Sequence, residues 1–476
     1  MTLPPLHWLP YREAMAEPQP YRPDRAILTL GEGYFAKVAA ANFPKTTLRF
    51  ANRRWAAQVG LDNLDEVGWA RHFGRFEPLA DNLPTPLALR YHGHQFRHYN
   101  PDIGDGRGFL FAQLRDGAKA SGGRLLDLGT KGSGQTPYSR FGDGRLTLKG
   151  GVREVLATEM LEALGVSTSK SFALIETGEQ LTRGDEPSPT RSAVLTRLSH
   201  GHVRIGSFQR LAYEENAAEI AALVRYCLRQ LFGEDSDDPL RLFELAATQT
   251  ARLAASYLAA GFVHGVLNSD NINITGESFD YGPWRFAPIW DEDFVAAYFD
   301  HGGLYAFGRQ PEAIHWDLAQ LGGCLALVAD GPALAEILSD WQAQFEAALV
   351  AALVRRLGIA PDAAADRDLV SALLVALRAQ SVTIDRLFFD WRGGRVPDGE
   401  SYRDAAFVEM RERLASRAPL PHALDHDYWC DDRPCSMHID EVEAIWAAIA
   451  DQDDWAPFEN KIAAIRRMGA AHDMTP

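Results

Sequence analysis

One polar segment near the middle of the chain, HGVLNSDNINITGESFDYG (residues 264–282), constrains the fold more than any other stretch. A helical pattern, FELAATQTARLAASYLAAGF, leads directly into it. Asn271 and Asp280 carry an amide oxygen and a carboxylate, the ligand types that Mg²⁺ or Mn²⁺ prefers beside nucleotide phosphates. Asp270 lies in the same loop, where it could accept a proton from a hydroxyl or help to hold a metal. A plain Asn/Asp turn is the alternative, but spacing and the terminal DYG favour function.

The spacing of these residues is typical of a protein-kinase catalytic loop, with one substitution. Kinases place a His, an Asp and an Asn in H-R-D-x-x-x-x-N and a metal-binding Asp in D-F-G. His264 and Asn271 occupy matching positions, and the D-Y-G that begins at Asp280 replaces D-F-G. Val266 stands where the catalytic Asp would be. The segment therefore indicates either an inactive kinase or an enzyme that uses the same nucleotide site for another reaction.

Glycine-rich turns earlier in the chain predict a phosphate site. Gly104, Gly106 and Arg107 lie in IGDGRGF, where glycines let backbone N–H groups approach a polyphosphate and the guanidinium adds a planar cation. Asp143 and Gly144 form a second turn in KGSGQTPYSRFGDGR. Alone, each segment is more typical of an ordinary β-turn, because neither matches a Walker A or a G-x-G-x-x-G sequence.

A predicted strand, GRLLDLGTKG, ends at Lys131, and a predicted helix, GVREVLATEMLEALG, follows it with Glu154. This order repeats the lysine–glutamate pairing that orients nucleotide phosphates in kinases. Glu159 and Glu162 lie on the same helix, and a solvated charged face is predicted for at least two of the three glutamates.

Further polar residues are candidate ligands. Arg197 and Arg204 bracket a short turn in TRLSHGHVRIGSF and could converge on one anion. The histidines of this segment and of YHGHQF are interpreted as loop residues rather than metal pairs. In HALDHDYWCDDRPCSMH the C-x₄-C spacing matches no compact zinc site, so Cys430 and Cys435 are interpreted as unrelated thiols.

Composition excludes several classes of protein. Lys+Arg minus Asp+Glu is 48 − 64 = −16, which disfavours binding to nucleic acid or to an anionic membrane. No apolar run approaches the roughly 20 residues of a membrane span. The N-terminal MTLPPLHWLPYREAM does not resemble a secretion signal, and four cysteines form no disulfide framework, so a cytoplasmic protein is expected.

The order of predicted elements, strands first and then mostly helices, predicts an α+β fold with a two-lobed, protein-kinase-like core. We expect an N-terminal extension over residues 1–90, with one helix near NRRWAAQVGLDNL. A lobe with the nucleotide-binding loops follows over 91–212, and a lobe with the catalytic and metal loop over 213–330. A helical region fills 331–476.

The chain resembles the selenoprotein O family of pseudokinase-fold protein adenylyltransferases. The motifs that carry the resemblance are YHGHQF, IGDGRG, KGSGQTPYSRFGDGR, VREVLATE, TRLSHGHVRIGSF, and HGVLNSDN with DYGP, in the expected order over roughly residues 90–290. The resemblance implies a kinase-like fold that binds ATP in an inverted orientation. It also implies transfer of AMP, with Mg²⁺ or Mn²⁺, to Ser, Thr or Tyr hydroxyls of proteins and release of pyrophosphate.

The resemblance also assigns roles to residues. It implies that Asp270 accepts the proton, that Asn271 binds the metal, that Asp280 binds both metal and ATP, and that Lys131 pairs with Glu154. The implied nucleotide contacts are Gly104, Gly106, Arg107, Lys131, Asp143, Gly144, Arg197 and Arg204. In this geometry the α-phosphate occupies the reaction centre, so Val266 is no defect.

The chain also departs from the family. Arg97 replaces the glycine usual after H-Q-F, the C-terminal N-P-x-x-[VI]-L-R-N element is missing, and Cys430 and Cys435 do not reproduce the redox motif of eukaryotic relatives. Alternatives to AMP transfer therefore stay open, namely uridylylation from UTP with Mn²⁺ and a catalytically silent nucleotide-binding scaffold. The expected partners are ATP and proteins with accessible hydroxyls, with self-modification possible.

Overall fold

A computed structural model describes residues 18–117, 123–184 and 186–473. The segment MTLPPLHWLPYREAM lies outside these residues. The described part of the chain forms thirteen strands: β1 (Pro23–Asp24), β2 (Phe35–Lys37), β3 (Thr47–Ala51), β4 (Leu87–Leu89), β5 (Gly93–Gln95), β6 (His98–Asn100), β7 (Leu110–Arg115), β8 (Leu125–Lys131), β9 (Leu146–Thr147), β10 (Lys170–Leu181), β11 (Thr190–Ser199), β12 (Phe262–Val263) and β13 (Arg285–Phe286).

The same residues form fourteen α-helices, most of them in the second half of the chain. They are α1 (Arg53–Gln58), α2 (Glu66–Gly74), α3 (Leu148–Ala163), α4 (Ile205–Tyr213), α5 (Ala217–Tyr226), α6 (Pro239–Ala260), α7 (Gln310–Leu325), α8 (Gly331–Ser339), α9 (Trp341–Leu357), α10 (Asp366–Arg378), α11 (Ile384–Asp390), α12 (Val408–Leu414), α13 (Ile439–Gln452) and α14 (Ala456–Asp473). The chain is therefore a mixed α/β protein with a helical C-terminal region.

A large antiparallel sheet dominates the first half of the chain. Its strands follow the order β2-β4-β7-β8-β11-β10-β3, with β1 added beside β7 and β9 beside β11. Hydrophobic side chains alternate between its two faces: Leu110 and Leu125 belong to one core, and Phe111 and Leu126 belong to the other. Both faces are covered, which explains why β8 is buried along its whole length.

The sheet register places charged residues of the predicted site on one face. Lys131 lies opposite Leu195 on β11, and Arg197 lies two residues further along that strand. Directly opposed residues point to the same side of a sheet, so Lys131 and Arg197 both face α3. Helix α3 begins at the cap Thr147, whose side chain accepts a hydrogen bond from the Gly150 N–H.

The expected solvated face of α3 is wrong. Glu154 and Glu159 are each 1% exposed, and Glu162 is largely buried. These carboxylates are tolerated in the interior because each is paired with a cation. Arg466 of α14 pairs with Glu159, and Arg54 of α1 pairs with Glu162. The partners lie far away in sequence, so the glutamate spacing alone gave no sign of them.

The other predicted elements agree with the structure in type. The strand before Lys131, the strands SFALIET and SAVLTRL, and the helix that leads to His264 are all present, the last ending at Gly261 in a left-handed conformation (φ +70°). Helix α2 was not expected. Strands β1 to β4 come from residues before 90 and join the large sheet, and the four-part division of the chain stays a prediction. Among the described helices, none has the length and apolar character needed to cross a membrane.

Candidate nucleotide-binding site

A cavity of about 630 Å³ lies between the large sheet, the glycine-rich turns and the 264–282 segment. Its lining includes ten of the residues that the sequence predicted: Gly104, Gly106, Arg107, Lys131, Asp143, Gly144, Arg197, Arg204, Asp270 and Asp280. Segments that are far apart in sequence therefore meet at one polar cavity of a size suited to a small-molecule ligand.

Close backbone packing shapes the glycine-rich wall. A Cβ on Gly108 would lie 1.9 Å from the Thr130 carbonyl oxygen, so only glycine lets this turn pass against β8. The hydroxyl of Ser139 donates to the Gly106 carbonyl over 2.5 Å, and that of Thr136 donates to the Asp105 carbonyl over 2.5 Å. The two glycine-rich turns are thus fastened to each other, which fixes the wall of the cavity.

A buried ion cluster forms the floor. Lys131 Nζ contacts Glu154 Oε1 and lies 2.6 Å from Asp280 Oδ1. Arg197 Nη1 lies 3.3 Å from the same Asp280 oxygen and 4.0 Å from Glu154 Oε2. Burial acts to raise the pKa of Asp280, but Lys131, Arg197 and Arg107 together hold it well below the usual range. Asp280 is therefore an ionised carboxylate on the cavity wall.

Arg204 links the glycine-rich turn to the 264–282 segment. Its guanidinium lies 4.1 Å from the ring centre of Tyr91 and 4.8 Å from that of Phe279, so two aromatic faces hold it in place. Nη1 donates to the main-chain oxygen of Asp270 over 3.0 Å, and Nη2 lies 3.5 Å from Asp105 Oδ1. Burial raises the pKa of Asp105, although Arg204 acts against this.

Asp270 presents a carboxyl group to the cavity from a nearly buried position. It is 8% exposed, and among the described residues Oδ1 has no hydrogen-bond partner. Burial raises the pKa of Asp270 to about 6, Arg204 acts in the opposite direction, and Asp280 adds to the rise. A carboxylate with a free oxygen and a pKa near neutrality has the properties of a general base.

Two predicted residues do not line the cavity. Glu154 lies behind Lys131, which it orients. Asn271 ends a single 3₁₀ turn, Ser269–Asn271, and its Nδ2 donates to the Val266 carbonyl over 3.0 Å. Because the nitrogen is occupied in this way, the amide oxygen is the atom left for a ligand.

Sequence reasoning missed part of the lining. Arg183, from the loop between β10 and β11, reaches the cavity and forms a bidentate pair with Asp143, with N···O distances of 2.8 and 3.1 Å. Asp105, inside the quoted GDGRG motif, was also not assigned. Arg183 lies outside every motif, so only the length of the β10–β11 hairpin hinted that its loop reaches the site.

The charge of the lining identifies the kind of ligand. It includes seven cationic side chains, Arg107, Lys131, Arg140, Arg145, Arg183, Arg197 and Arg204, against four carboxylates, Asp105, Asp143, Asp270 and Asp280. In a chain with a net charge of −16, this local excess of cations favours an anionic ligand.

The cysteines and histidines of the described residues form no metal site. In this part of the chain, no group of three or more His, Cys, Asp or Glu side chains is arranged to hold a metal ion. Cys430 is an exposed free thiol, and Cys435 is a half-buried one. Burial raises the pKa of the Cys435 thiol to about 11, so it is protonated at neutral pH.

Comparisons with known proteins match the chain to one family model and to relatives that share one name. The family model described as Protein adenylyltransferase SelO matches residues 20–418. A relative from Synechocystis, named Protein nucleotidyltransferase YdiU, is 40% identical over 479 residues, which cover 93% of this chain and 97% of the relative. A protein of the same name from Gloeobacter violaceus is 42% identical over 477 residues, covering 93% and 94%. Another, from Rhodopseudomonas palustris, is 34% identical over 489 residues, covering 93% and 92%.

Proposed function

The chain belongs to the SelO family of protein adenylyltransferases and is a nucleotidyltransferase, and we propose that it transfers AMP from ATP to Ser, Thr or Tyr hydroxyls of proteins. In this reaction the acceptor oxygen attacks the α-phosphorus, the bond to the β-phosphate oxygen breaks, and pyrophosphate leaves. The hydroxyl proton passes to Asp270.

The placement of Asp270 is the observation that carries the proposal. Asp270 lines the cavity, and its buried Oδ1 has no hydrogen-bond partner among the described residues, whereas Val266, at the position of the kinase base, does not line the cavity. A kinase-type transfer of the γ-phosphate would require the base at the latter position. The geometry thus supports a reaction centre beside Asp270, as expected if the α-phosphate rather than the γ-phosphate lies there.

The cationic residues would bind the triphosphate. Lys131, Arg197 and Arg204 form hydrogen bonds or ion pairs that fix their positions before a ligand arrives, so little reorganisation is needed. Preorganised cations are the main means by which enzymes stabilise the charge that develops in transfer of a phosphoryl-type group. Arg107 and the N–H groups of the Gly104–Gly108 turn complete the proposed phosphate contacts.

Asp280 and Asn271 fit the divalent metal that such transfers use. Asp280 is ionised and offers carboxylate oxygen. The Asn271 nitrogen is used in a hydrogen bond to Val266, which leaves the amide oxygen for a metal. Both are hard oxygen atoms of the type that Mg²⁺ or Mn²⁺ binds. Two protein ligands suffice, because Mg²⁺ usually completes its shell with phosphate oxygens and water. A bound cation would neutralise phosphate charge in the transition state.

The kinase-like two-lobed arrangement, the inverted orientation of ATP and the four-part division of the chain belong to the same proposal. The contact between Lys131 and Glu154 supports it, since kinases use this pair to orient nucleotide phosphates. Protein acceptors are supported by the name of the relatives, and the purified protein itself is a candidate acceptor.

Position-specific labelling of ATP tests the reaction. The protein is incubated with α-labelled or γ-labelled ATP and either Mg²⁺ or Mn²⁺, alone and with a cell extract as a source of acceptors. We expect protein-bound label only from the α position, together with release of pyrophosphate. Label from the γ position alone would establish a kinase and reject AMP transfer.

Two further arms separate the remaining alternatives. Labelled UTP with Mn²⁺ replaces ATP, and preferential labelling from UTP would make the enzyme a uridylyltransferase. Thermal stabilisation by ATP without covalent label, under all metals and acceptors, would indicate a silent scaffold.

A further inference from the structure

The small hairpin β5–β6 of the YHGHQF motif packs directly against the turn that carries Asp270. The backbone N–H of His94 donates to Ser269 Oγ over 2.7 Å, and the backbone N–H of Phe96 donates to Asn268 Oδ1 over 3.0 Å. The Tyr305 hydroxyl donates to the same Asn268 oxygen over 2.6 Å. The two residues immediately before Asp270 are therefore fixed by groups from outside their own loop.

A closed ring of hydrogen bonds joins the hairpin, helix α4 and this turn. The Ser269 hydroxyl donates to Gln209 Oε1 over 2.6 Å, and Gln209 Nε2 is 2.6 Å from His94 Nδ1. An amide nitrogen can only donate, so Nδ1 accepts and the imidazole is neutral with its hydrogen on Nε2. Ser269 and Gln209 are buried, and the His94 ring meets the Trp316 ring edge to face, with centroids 5.1 Å apart.

Gly93 brings the hairpin backbone against Asp270 itself. A Cβ at this position would lie 3.0 Å from both the Cβ and Oδ1 of Asp270. That spacing is tighter than nine in ten such contacts in proteins, so a side chain here would require the Asp270 carboxyl group to shift by a few tenths of an ångström.

We propose that His94, Gln209 and Ser269 form a positioning ring that holds the Asp270 carboxylate at the reaction centre. None of the three lines the cavity, so the ring acts through the Ser269–Asp270 peptide and not by touching the nucleotide. This inference rests on the proposed function, in which Asp270 receives the proton. It assigns a role to the YHGHQF motif, whose histidines the sequence had indicated only as loop residues.

The expected signature is a loss of turnover without a loss of nucleotide binding. Displacement of a catalytic group by about 1 Å is enough to reduce the rate about 10²-fold. Lys131 and Arg197 stay in place because they are held by Glu154 and Asp280. Arg204 loses at most its bond to the Asp270 main chain and keeps its packing between the aromatic rings described above. A mutation that only loosened the fold would instead weaken binding and turnover together.

Matched histidine variants test the ring. His94→Leu removes the acceptor for Gln209, whereas His94→Asn places an amide oxygen near the position of Nδ1 and can accept the same bond. His98→Leu, at an exposed position on the other strand of the same hairpin, is the control. We expect kcat for transfer of α-labelled AMP to fall about 10²-fold in His94→Leu, to recover largely in His94→Asn, and to stay unchanged in His98→Leu. ATP affinity should be unchanged in all three.

Further measurements keep the inference separate from the proposed function. Gly93→Ala should also lower kcat, by less than His94→Leu, with ATP affinity retained. Hydrogen exchange should rise over residues 266–272 in His94→Leu but not over 104–108. Wild-type turnover in His94→Leu, a parallel loss of ATP affinity, or no recovery in His94→Asn would overturn the positioning ring. If the wild type transferred no AMP, the proposed function would fail. Hydrogen exchange would then test the ring by itself, and unchanged exchange over residues 266–272 in His94→Leu would refute it.

Discussion

Replacing Lys131 with methionine should reveal how strongly the buried ion cluster depends on its lysine. Lys131 is 4% exposed and contacts both Glu154 and Asp280. Asp280 keeps Arg197 and Arg107 nearby, but among the described residues Glu154 keeps only Arg197, whose Nη1 lies 4.0 Å away. The substitution therefore leaves one carboxylate, itself 1% exposed, with a single distant cation.

The loss of unfolding free energy in Lys131→Met can be bounded from two sides. Removing one partner of a buried ion pair costs about 3–5 kcal/mol in other proteins. A buried glutamate can also escape its charge by binding a proton, which at pH 7 costs about 3.7 kcal/mol and about 1.4 kcal/mol less for each pH unit below that. We expect Lys131→Met to lose about 3 kcal/mol of unfolding free energy at pH 7, and clearly less at pH 5.5.

Urea unfolding of three proteins checks this reasoning. Wild type, Lys131→Met and the double variant Lys131→Met/Glu154→Gln are compared at pH 7 and pH 5.5, with ATP affinity measured in parallel. The double variant should recover most of the lost stability, because it removes the stranded charge, yet it should bind ATP as weakly as the single variant. Equal stability of the single and double variants at pH 7, or a loss that does not shrink at pH 5.5, would refute the argument.

Substitutions at four other positions probe separate features. Asp270→Asn should lower AMP transfer about 10²–10⁴-fold in a labelling assay while ATP affinity stays unchanged, and Asp280→Ala should abolish transfer and also weaken metal-dependent ATP binding. Burial lowers the pKa of His200 from 6.5 to about 4, so the unfolded chain takes up this proton first as the pH falls. Wild type should therefore lose up to about 3 kcal/mol more than His200→Gln between pH 6.5 and 4 in urea titrations. Arg97 has a φ of +63°, so Arg97→Gly should be more stable than Arg97→Ala by about 1 kcal/mol. These expectations would be contradicted if Asp270→Asn transferred AMP as fast as wild type or if wild type and His200→Gln lost stability in parallel on acidification. The last would be contradicted if Arg97→Ala were as stable as Arg97→Gly.

The sequence predicted most of the site but little of what supports it. Residues such as Lys131, Arg107 and Asp280 lie in motifs whose chemistry is visible in their order, and the structure brings them to one cavity. Helix and strand periodicity likewise identified the main elements. These signals are local, so the chain could be interpreted segment by segment.

The misses share one physical origin. Glu159 was expected at the surface, because nothing near it in sequence indicates a pairing with Arg466. Arg183 reaches the cavity only because two long strands carry its loop there. Arg97, which departs from the family pattern, forms an ion pair with Glu312 across the fold. Long-range contacts of this kind depend on topology, which no window of sequence contains.

The ion pair between Glu159 and Arg466 has a consequence for folding of the enzyme during its synthesis. During translation, Glu159 is made 307 residues before Arg466, the cation with which it pairs in the folded protein. Before Arg466 is added, the side-chain amide of Asn52 is the partner that the described residues offer Glu159, so the helix that carries Glu154 gains its full set of ion pairs only when α14 docks. A variant truncated after residue 418, where the family match ends, would keep every proposed catalytic residue but leave the buried Glu159 without Arg466, so we expect it to be less stable than the full chain.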